Sequence, residues 1–539
     1  MDRLHKNSAK AIGARIMKRV KGRWPGNADI FAAMVGPWAN GYPSDGLGEM
    51  TDTHGPYFNL PLLWSDMIFT TSPKQIQIVL ATEFQNFEKG ERFQNSMKSV
   101  LGLGVFNADG TSLPKFHRSM TRPFFTRDRI IHFDLYDRHA ETAISQMKQR
   151  LRSGYPVDFQ DLTYRFTLDS ATEFLFGSCV NTLTAALPYP QSISIVPAEA
   201  NDARSLEANE FSEAFFEAQE ILSSRLRKGW IWPLFEIRKD KTEAPMKVVR
   251  GFVEPIIQAA LKRKESSDSV NEKPEPAAVG DDETLLDHLV SITSDPAVIR
   301  DETLNILIAG RDTTAATLTF LVYFLSMYPD VCTRLREEIL TRVGTTRAPT
   351  FEDIKEMKYL GAVINETLRL YPAVPFNVRE SISATTFPSE DPSEKPLYIP
   401  ANTKVSYSVF IMHRRKDLWG PDAEEFDPDR FLDHRLKQYL IPNPFIFLPF
   451  NAGPRICLGQ QFAYNEISFM AVRLLQNFTS FEFDQDALLN EFRPPADWAK
   501  CKGRKAVDKF WPRYTLTLYS AGGMWIKATE TDSLNLAQV

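Results

Sequence analysis

The segment Phe450-Asn-Ala-Gly-Pro-Arg-Ile-Cys-Leu-Gly459 constrains this chain more than any other part of it. It places Cys457 at the end of a loop rich in Gly and Pro. An amphipathic helical pattern follows at once, with apolar residues at Phe462, Ile467, Met470, Ala471, Leu474 and Leu475. A sulfur in that position lies beside unpaired backbone N–H groups and the positive end of a helix dipole, so the thiolate is favoured. Gly453 and Gly459 are expected to let the backbone approach a flat ligand, and Arg455 can reach an acidic edge of it. A buried, inert thiol is the commoner fate of a single cysteine, but loop, arginine and helix start agree on a ligand.

A second constraint is the pattern over residues 301–328, which reads as one helix roughly 42 Å long. Beyond Thr314 it is apolar on most faces, which means burial, and Pro329 ends it. Gly310, Asp312 and Thr313 break the rules of a buried helix, because glycine costs about 1 kcal/mol relative to alanine and a buried aspartate is expensive unless paired. Violations of this kind mark functional sites. A threonine hydroxyl bonded back to a carbonyl one turn earlier opens a small polar notch.

Elsewhere, Tyr57–Trp64 and Asp66–Thr71 read as strands, and helical patterns cover about 73–87, 130–152, 156–178 and 205–230. Another helix runs from Phe351 through Glu366 and Arg369 to Tyr371-Pro372. Leu397–Ile399 and Lys404–Met412 read as strands, and Tyr514–Tyr519 with Met524–Ala528 as a hairpin. Residues 263–284 are polar and aperiodic, an exposed mobile loop. Gly102-Leu-Gly104 lacks the third glycine of a dinucleotide fingerprint. Cys179, Cys332, Cys457 and Cys501 show no paired or zinc-type spacing, which suits a reducing compartment. A net charge of −5 argues against nucleic-acid binding.

A thiolate is the axial donor that a heme iron needs if electron density is to be pushed toward O–O cleavage, and the decapeptide resembles the heme-binding loop of the cytochrome P-450 superfamily at all five of its fixed positions (Phe450, Gly453, Arg455, Cys457, Gly459). Ala309-Gly-Arg-Asp-Thr-Thr314, Glu366-Thr-Leu-Arg369 and Phe426-Asp-Pro-Asp-Arg-Phe431 match further motifs in the family's order. The resemblance covers about Pro56 to Ala528 and looks most like fungal membrane-bound members near the alkane and fatty-acid hydroxylase branch. It implies a mainly α fold, a triangular helical prism around heme b with small β-sheets, spanning 31–528 as one domain between a basic arm (1–30) and a tail (529–539). It implies Cys457 as the iron ligand, with Phe450 beside it. Arg455, Arg379, His117 and Arg118 would hold the heme carboxylates. Asp312 and Thr313 form an acid–alcohol pair that manages protons. Phe106, Ala309, Val374, Phe376 and Leu516 line a lipophilic substrate pocket, together with Leu101, Ile306 and Thr317. Glu366 and Arg369 on spacing alone make a surface pair worth about 0.2–0.5 kcal/mol; the resemblance adds Arg430 and buries all three. One departure is the stretch before His117, where relatives carry a tryptophan and this chain has Pro114.

The implied activity is monooxygenation of a hydrophobic small molecule, a terpenoid or other secondary metabolite, or a long-chain fatty acid or alkane. No flavin or nicotinamide motif is visible, so electrons come from a separate NADPH-cytochrome P-450 reductase, with cytochrome b5 as a further donor. The alternatives are a heme protein without turnover and an apolar carrier without heme. Residues 1–25 carry Arg3, Lys6, Lys10, Arg15, Lys18, Arg19, Lys21 and Arg23 against Asp2, with an apolar stripe of Ala11, Ile12, Ile16, Met17 and Val20. That pattern suits a helix lying on a membrane surface, at the cytosolic face of the endoplasmic reticulum, or a mitochondrial targeting peptide. No run of about 18 apolar residues marks a spanning helix.

Overall fold

Asp295 accepts a hydrogen bond from the Ala297 N–H and Pro296 occupies the first turn, so the longest helix starts at Pro296, earlier than the apolar pattern indicates, and runs to Met327. In this computed structural model, which describes residues 2–110, 120–125, 133–190, 203–268 and 284–531, that helix is the axis of the molecule. Phe159–Phe176 packs most extensively against it, and Gln460–Asn477 and Lys358–Leu370 also pack on it. Its C-terminal half is buried all round, from Thr314 through Leu325. Phe324 stacks on Phe426 with ring centroids 4.0 Å apart and planes at 9°.

The helices share their main core with small sheets, which contribute Phe58, Phe69, Phe478 and Ile526 to it. A five-stranded sheet runs in the order Tyr57–Asn59, Met67–Thr70, Lys404–Ser408, Phe376–Ser381, Phe87–Glu88. Met67–Thr70 and Lys404–Ser408 pair in parallel; the other pairs are antiparallel. This helix-rich build with small sheets agrees with the expected fold class.

Several sequence readings change. The helix expected from Phe351 is two, Phe351–Glu356 and Lys358–Leu370, because Met357 takes an extended backbone. The C-terminal hairpin pairs differently: Pro512–Tyr514 pairs with Leu518–Ser520, while Trp525–Glu530 joins Phe478–Phe483 and Val157–Asp158. The loop expected over 263–284 begins as helix, since Glu243–Asp268 continues to residue 268; residues 269–283 lie outside the described ones. That helix carries an interior Pro255, which breaks the sequence pattern.

The basic N-terminus also differs. Its helix covers only Asp2–Ala11 and ends at a Gly13 turn with φ +70°. Arg15–Ile16 then pairs in parallel with Leu397–Tyr398, and Met17 and Val20 are buried against the domain. Arg19 pairs with Asp66 at 2.5 Å, and Arg15 with Glu394. Two of the five residues of the apolar stripe are therefore buried against protein, while Ile12 stays exposed. Among the described residues, no single helix is long and apolar enough to cross a membrane.

Candidate active site

The loop that carries Cys457 is held from four directions. The Cys457 N–H donates to the Phe450 carbonyl at 3.0 Å, closing the loop on itself. His413 bridges outward: its Nδ1 meets the Arg369 carbonyl at 3.1 Å, and its Nε2 accepts from the Leu448 N–H at 2.9 Å. The Nε2 bond, in which the ring accepts, requires the neutral form, and burial and then the Arg369 charge hold its pKa down to about 3. Tyr407 Oη donates to Asn451 Oδ1 at 2.9 Å, which steadies a residue at φ +59°. Gly453 has φ +69°, and a Cβ there would come within 2.2 Å of the Leu80 carbonyl oxygen. Its role is close packing on the turn Ile78–Thr82. At Gly459 a Cβ would meet only Phe125 at 3.7 Å, so nothing in the protein forces a glycine there.

Glu366 and Arg369 are buried, with a bidentate contact at 2.7 and 2.8 Å, and Arg430 Nε lies 3.6 Å from Glu366. The surface-pair reading fails because the helix face that carries them packs on Pro428–Phe431. Arg369 also donates to the carbonyls of His413, Ala423 and Glu425, which ties this core to the cysteine loop.

Cys457 opens on a cavity of about 590 Å³. Phe450, Arg455, Arg379, Ala309, Gly310 and Thr313 share its walls. So do Phe106, Val374, Phe376 and Leu516, together with Leu101, Ile306 and Thr317. Thr313 Oγ1 donates to the Ala309 carbonyl at 2.6 Å, which is the back-bond of the notch. A Cβ at Gly310 would meet nothing closer than Ala171 at 3.6 Å, so packing does not demand that glycine.

Asp312 is turned away from the cavity. Its Oδ2 accepts from Gln219 Nε2 at 2.7 Å and its Oδ1 from Arg311 Nη1 at 3.2 Å. Its carboxylate is thus held on the neighbouring helix Ala203–Lys228, while the adjacent Thr313 lines the cavity. Burial raises the Asp312 pKa, with Arg311 and Gln219 partly offsetting it. Glu466 on the helix Gln460–Asn477 is fully buried, with the Ser170 and Thr314 hydroxyls beside its carboxyl group. Burial holds it well above the usual carboxylate range, with the Ser170 and Thr314 hydroxyls nearby moderating the shift. Burial thus favours the protonated form of Glu466.

The cavity floor carries cations. Arg379 has an unpartnered Nε and donates through Nη1 to the Val378 carbonyl at 2.7 Å. Arg455 donates to the Phe87 carbonyl. Lys89 joins them on the same wall. Burial pushes its ammonium well below its ordinary pKa; Arg379 and Arg455 push the same way, against Asp109. Arg455 is lowered by burial and then by Arg379. Among the described residues, Asp109 is the one carboxylate lining the cavity, so the three cations outnumber it. Two carboxylates on the edge of a flat ligand, above a cysteine sulfur, would balance that excess, so the residues fit a heme. His117 and Arg118 lie outside the described residues.

Sequence reasoning missed Lys89, Gln219, His413 and Glu466. Lys89 follows a short strand with no motif around it, and the other three acquire roles only from partners 35 to 296 residues away (Arg369 and Leu448 to His413; Asp312 to Gln219; Ser170 and Thr314 to Glu466). The one signal was their kind: a polar residue inside an apolar stretch.

A cysteine loop, a cationic floor and an apolar chamber under a notched helix make this a heme-thiolate oxygenase architecture. Comparison with known proteins agrees. The cytochrome P450 family profile matches residues 33–497. Cytochrome P450 52-M1 of Starmerella bombicola is 38% identical over 431 residues, 78% of this chain and 76% of the relative. Cytochrome P450 52A5 of Candida maltosa is 36% identical over 81% of this chain and 79% of its own. Cytochrome P450 monooxygenase g430 of a Fusarium species is 34% identical over 91% and 84%. The chain belongs to the cytochrome P450 family. It is a heme-thiolate monooxygenase with heme b as cofactor, and the family implies a redox partner and a hydrophobic substrate.

Proposed function

We propose that this enzyme oxidises a lipophilic small molecule, a terpenoid or other secondary metabolite or a long-chain fatty acid or alkane, with electrons from NADPH-cytochrome P450 reductase and cytochrome b5. The observation that supports it is that Cys457 and Thr313 open on one chamber whose other walls are mostly apolar side chains. When bound, the thiolate-ligated heme supplies dioxygen activation and oxygen transfer. The protein's part is to hold and to protonate. Cys457 is the iron ligand. Arg455, Arg379 and Lys89 neutralise the heme carboxylates, and His117 and Arg118 are assigned to the same task from the sequence. Phe450 packs beside the ligand, its ring 5.2 Å from Tyr464. Thr313 Oγ1, already bonded to Ala309, orders water in the notch. Asp312 carries protons into it by swinging off Gln219.

Substrate is proposed to enter from a membrane. Trp64 and Trp230 are exposed, joined by the Trp230 Nε1 bond to the Leu63 carbonyl at 3.0 Å, and Leu234, Phe235 and Ile237 extend the patch. Leu62, Leu63 and Trp230 also line the cavity mouth. The endoplasmic-reticulum surface is the proposed location.

The test is the reduced, CO-bound spectrum of the purified enzyme with turnover of added lipids. Wild type should give the thiolate-type red-shifted band and product. Cys457→Ala should lose both, and Thr313→Ala should keep the band but divert electrons into free hydrogen peroxide. A thiolate band that survives in Cys457→Ala defeats the ligand assignment.

A further inference from the structure

We infer that Asp301 and Asn305, one turn apart on the long helix, are positioning residues that clamp the backbone of Leu101–Ala108 and so fix the wall against which a ligand must fit. This rests on the reading of the chamber as the substrate site. Asp301 Oδ2 accepts from the Leu103 N–H at 2.9 Å. Asn305 Oδ1 accepts from the Phe106 N–H at 3.0 Å, and its Nδ2 donates to the Leu101 carbonyl at 2.9 Å and the Asp301 carbonyl at 2.6 Å. Asn107 Nδ2 closes the loop from inside, donating to the Gly102 carbonyl at 2.8 Å.

The two glycines of Gly102-Leu-Gly104 take their meaning from this clamp. A Cβ at Gly102, where φ is +55°, would stand 1.9 Å from the Asp301 carboxylate; one at Gly104 would stand 2.4 Å from the Asn305 amide. The loop backbone is pressed onto the helix where only glycine fits. Apolar burial holds the ends of the loop, Leu101 and Ala108, but not its middle, where Leu103 is 54% and Phe106 39% exposed. The loop is held by three backbone bonds to two side chains, and Asn305 is itself fully buried. Leu101, Val105, Phe106 and Ala108 line the chamber from the loop, and Ile306 and Ala309 line it from the helix. Since Asn305 adjoins Ile306, the clamp sets the gap between these two walls.

Two azoles of different bulk test this on the heme-loaded enzyme. Imidazole and clotrimazole both ligate the iron through one ring nitrogen, and only clotrimazole is large enough to press on the loop wall. Optical titration should show that Asn305→Leu and Gly102→Ala weaken clotrimazole at least fivefold relative to imidazole. Asp301→Asn keeps an acceptor oxygen for Leu103 and should stay within twofold of wild type. A clotrimazole-to-imidazole ratio unchanged within twofold in Asn305→Leu and Gly102→Ala overturns the proposal. If those variants do not fold, amide hydrogen exchange on the wild type decides. Peptides over 101–108 should exchange as slowly as those over the long helix, and exchange at the rate of an open loop overturns the clamp. Were imidazole to leave the wild-type heme spectrum unmoved, the heme-site reading would fall, and the exchange measurement would still decide the clamp.

Discussion

Lys89, Arg379 and Arg455 stand together inside a wall with too little negative charge, an arrangement that repels itself until an anion arrives. Charge-assisted hydrogen bonds contribute about 1.5–3 kcal/mol each. Lys89→Met should therefore release heme about 10- to 100-fold faster, measured by heme transfer to apomyoglobin, with the folded protein otherwise intact. His413 gives a pH prediction. Its pKa is about 3 in the folded protein and near 6.5 unfolded, so the unfolded chain binds more protons between those values. Stability contributed by the neutral ring is complete above about pH 6.5 and falls as pH drops toward 3. From pH 6.5 to 5, wild type should lose about 2 kcal/mol more than His413→Gln in urea unfolding, at about 1.4 kcal/mol per pH unit.

The long helix needs to be both a core strut and a site wall. Its first half carries Asp301, Asn305, Gly310 and Thr313 toward loop and cavity, and its second half is anchored by aromatic packing. Phe320 stacks with Tyr371 at 4.7 Å and Phe324 with Phe426 at 4.0 Å. Phe324→Ala should cost about 3–5 kcal/mol, as a large-to-small change in a filled core does. The check is the chemical-denaturation midpoint, with heme spectrum retained at low denaturant because the deletion lies away from the cavity. On the helix Gln460–Asn477, no side chain caps the N-terminus, so its first-turn N–H groups remain available beside the Cys457 loop.

At the scale of the molecule, the N-terminal segment and the apolar rim exchange roles relative to the sequence expectation. Met17 and Val20 are committed to the domain, while Trp64, Trp230, Leu234 and Phe235 face outward. Membrane attachment should depend on the rim more than on the first 23 residues. Wild type should cosediment with phosphatidylserine-containing vesicles in high salt, and Trp64→Ser with Trp230→Ser should lower that partition about tenfold or more. Deleting residues 2–11 should change it by less than threefold. The opposite ranking would return the membrane contact to the basic arm.

What the sequence by itself determined lies where chemistry is local. Cys457, Arg455 and Gly453 sit within one short loop, the Thr313 notch is a contact within one helical turn, and the apolar run after Thr314 has one reading, burial. The small sheets were half legible, since strands can be seen in a pattern but their partners cannot: Trp525–Glu530 chooses Phe478–Phe483 over its neighbour in sequence. Tertiary structure alone decided the rest. Lys89 became part of the cationic floor when Phe87–Glu88 paired with Phe376–Ser381 and brought it near Arg379. Gly102 and Gly104, without meaning as a motif, became the seat of Asp301 and Asn305 from almost 200 residues away. Asp312 faced Gln219 because the neighbouring helix brought an amide to meet it. A side chain's type is written in the chain, but its partner, and so its pKa, its strain and its task, is set by which elements fold against it.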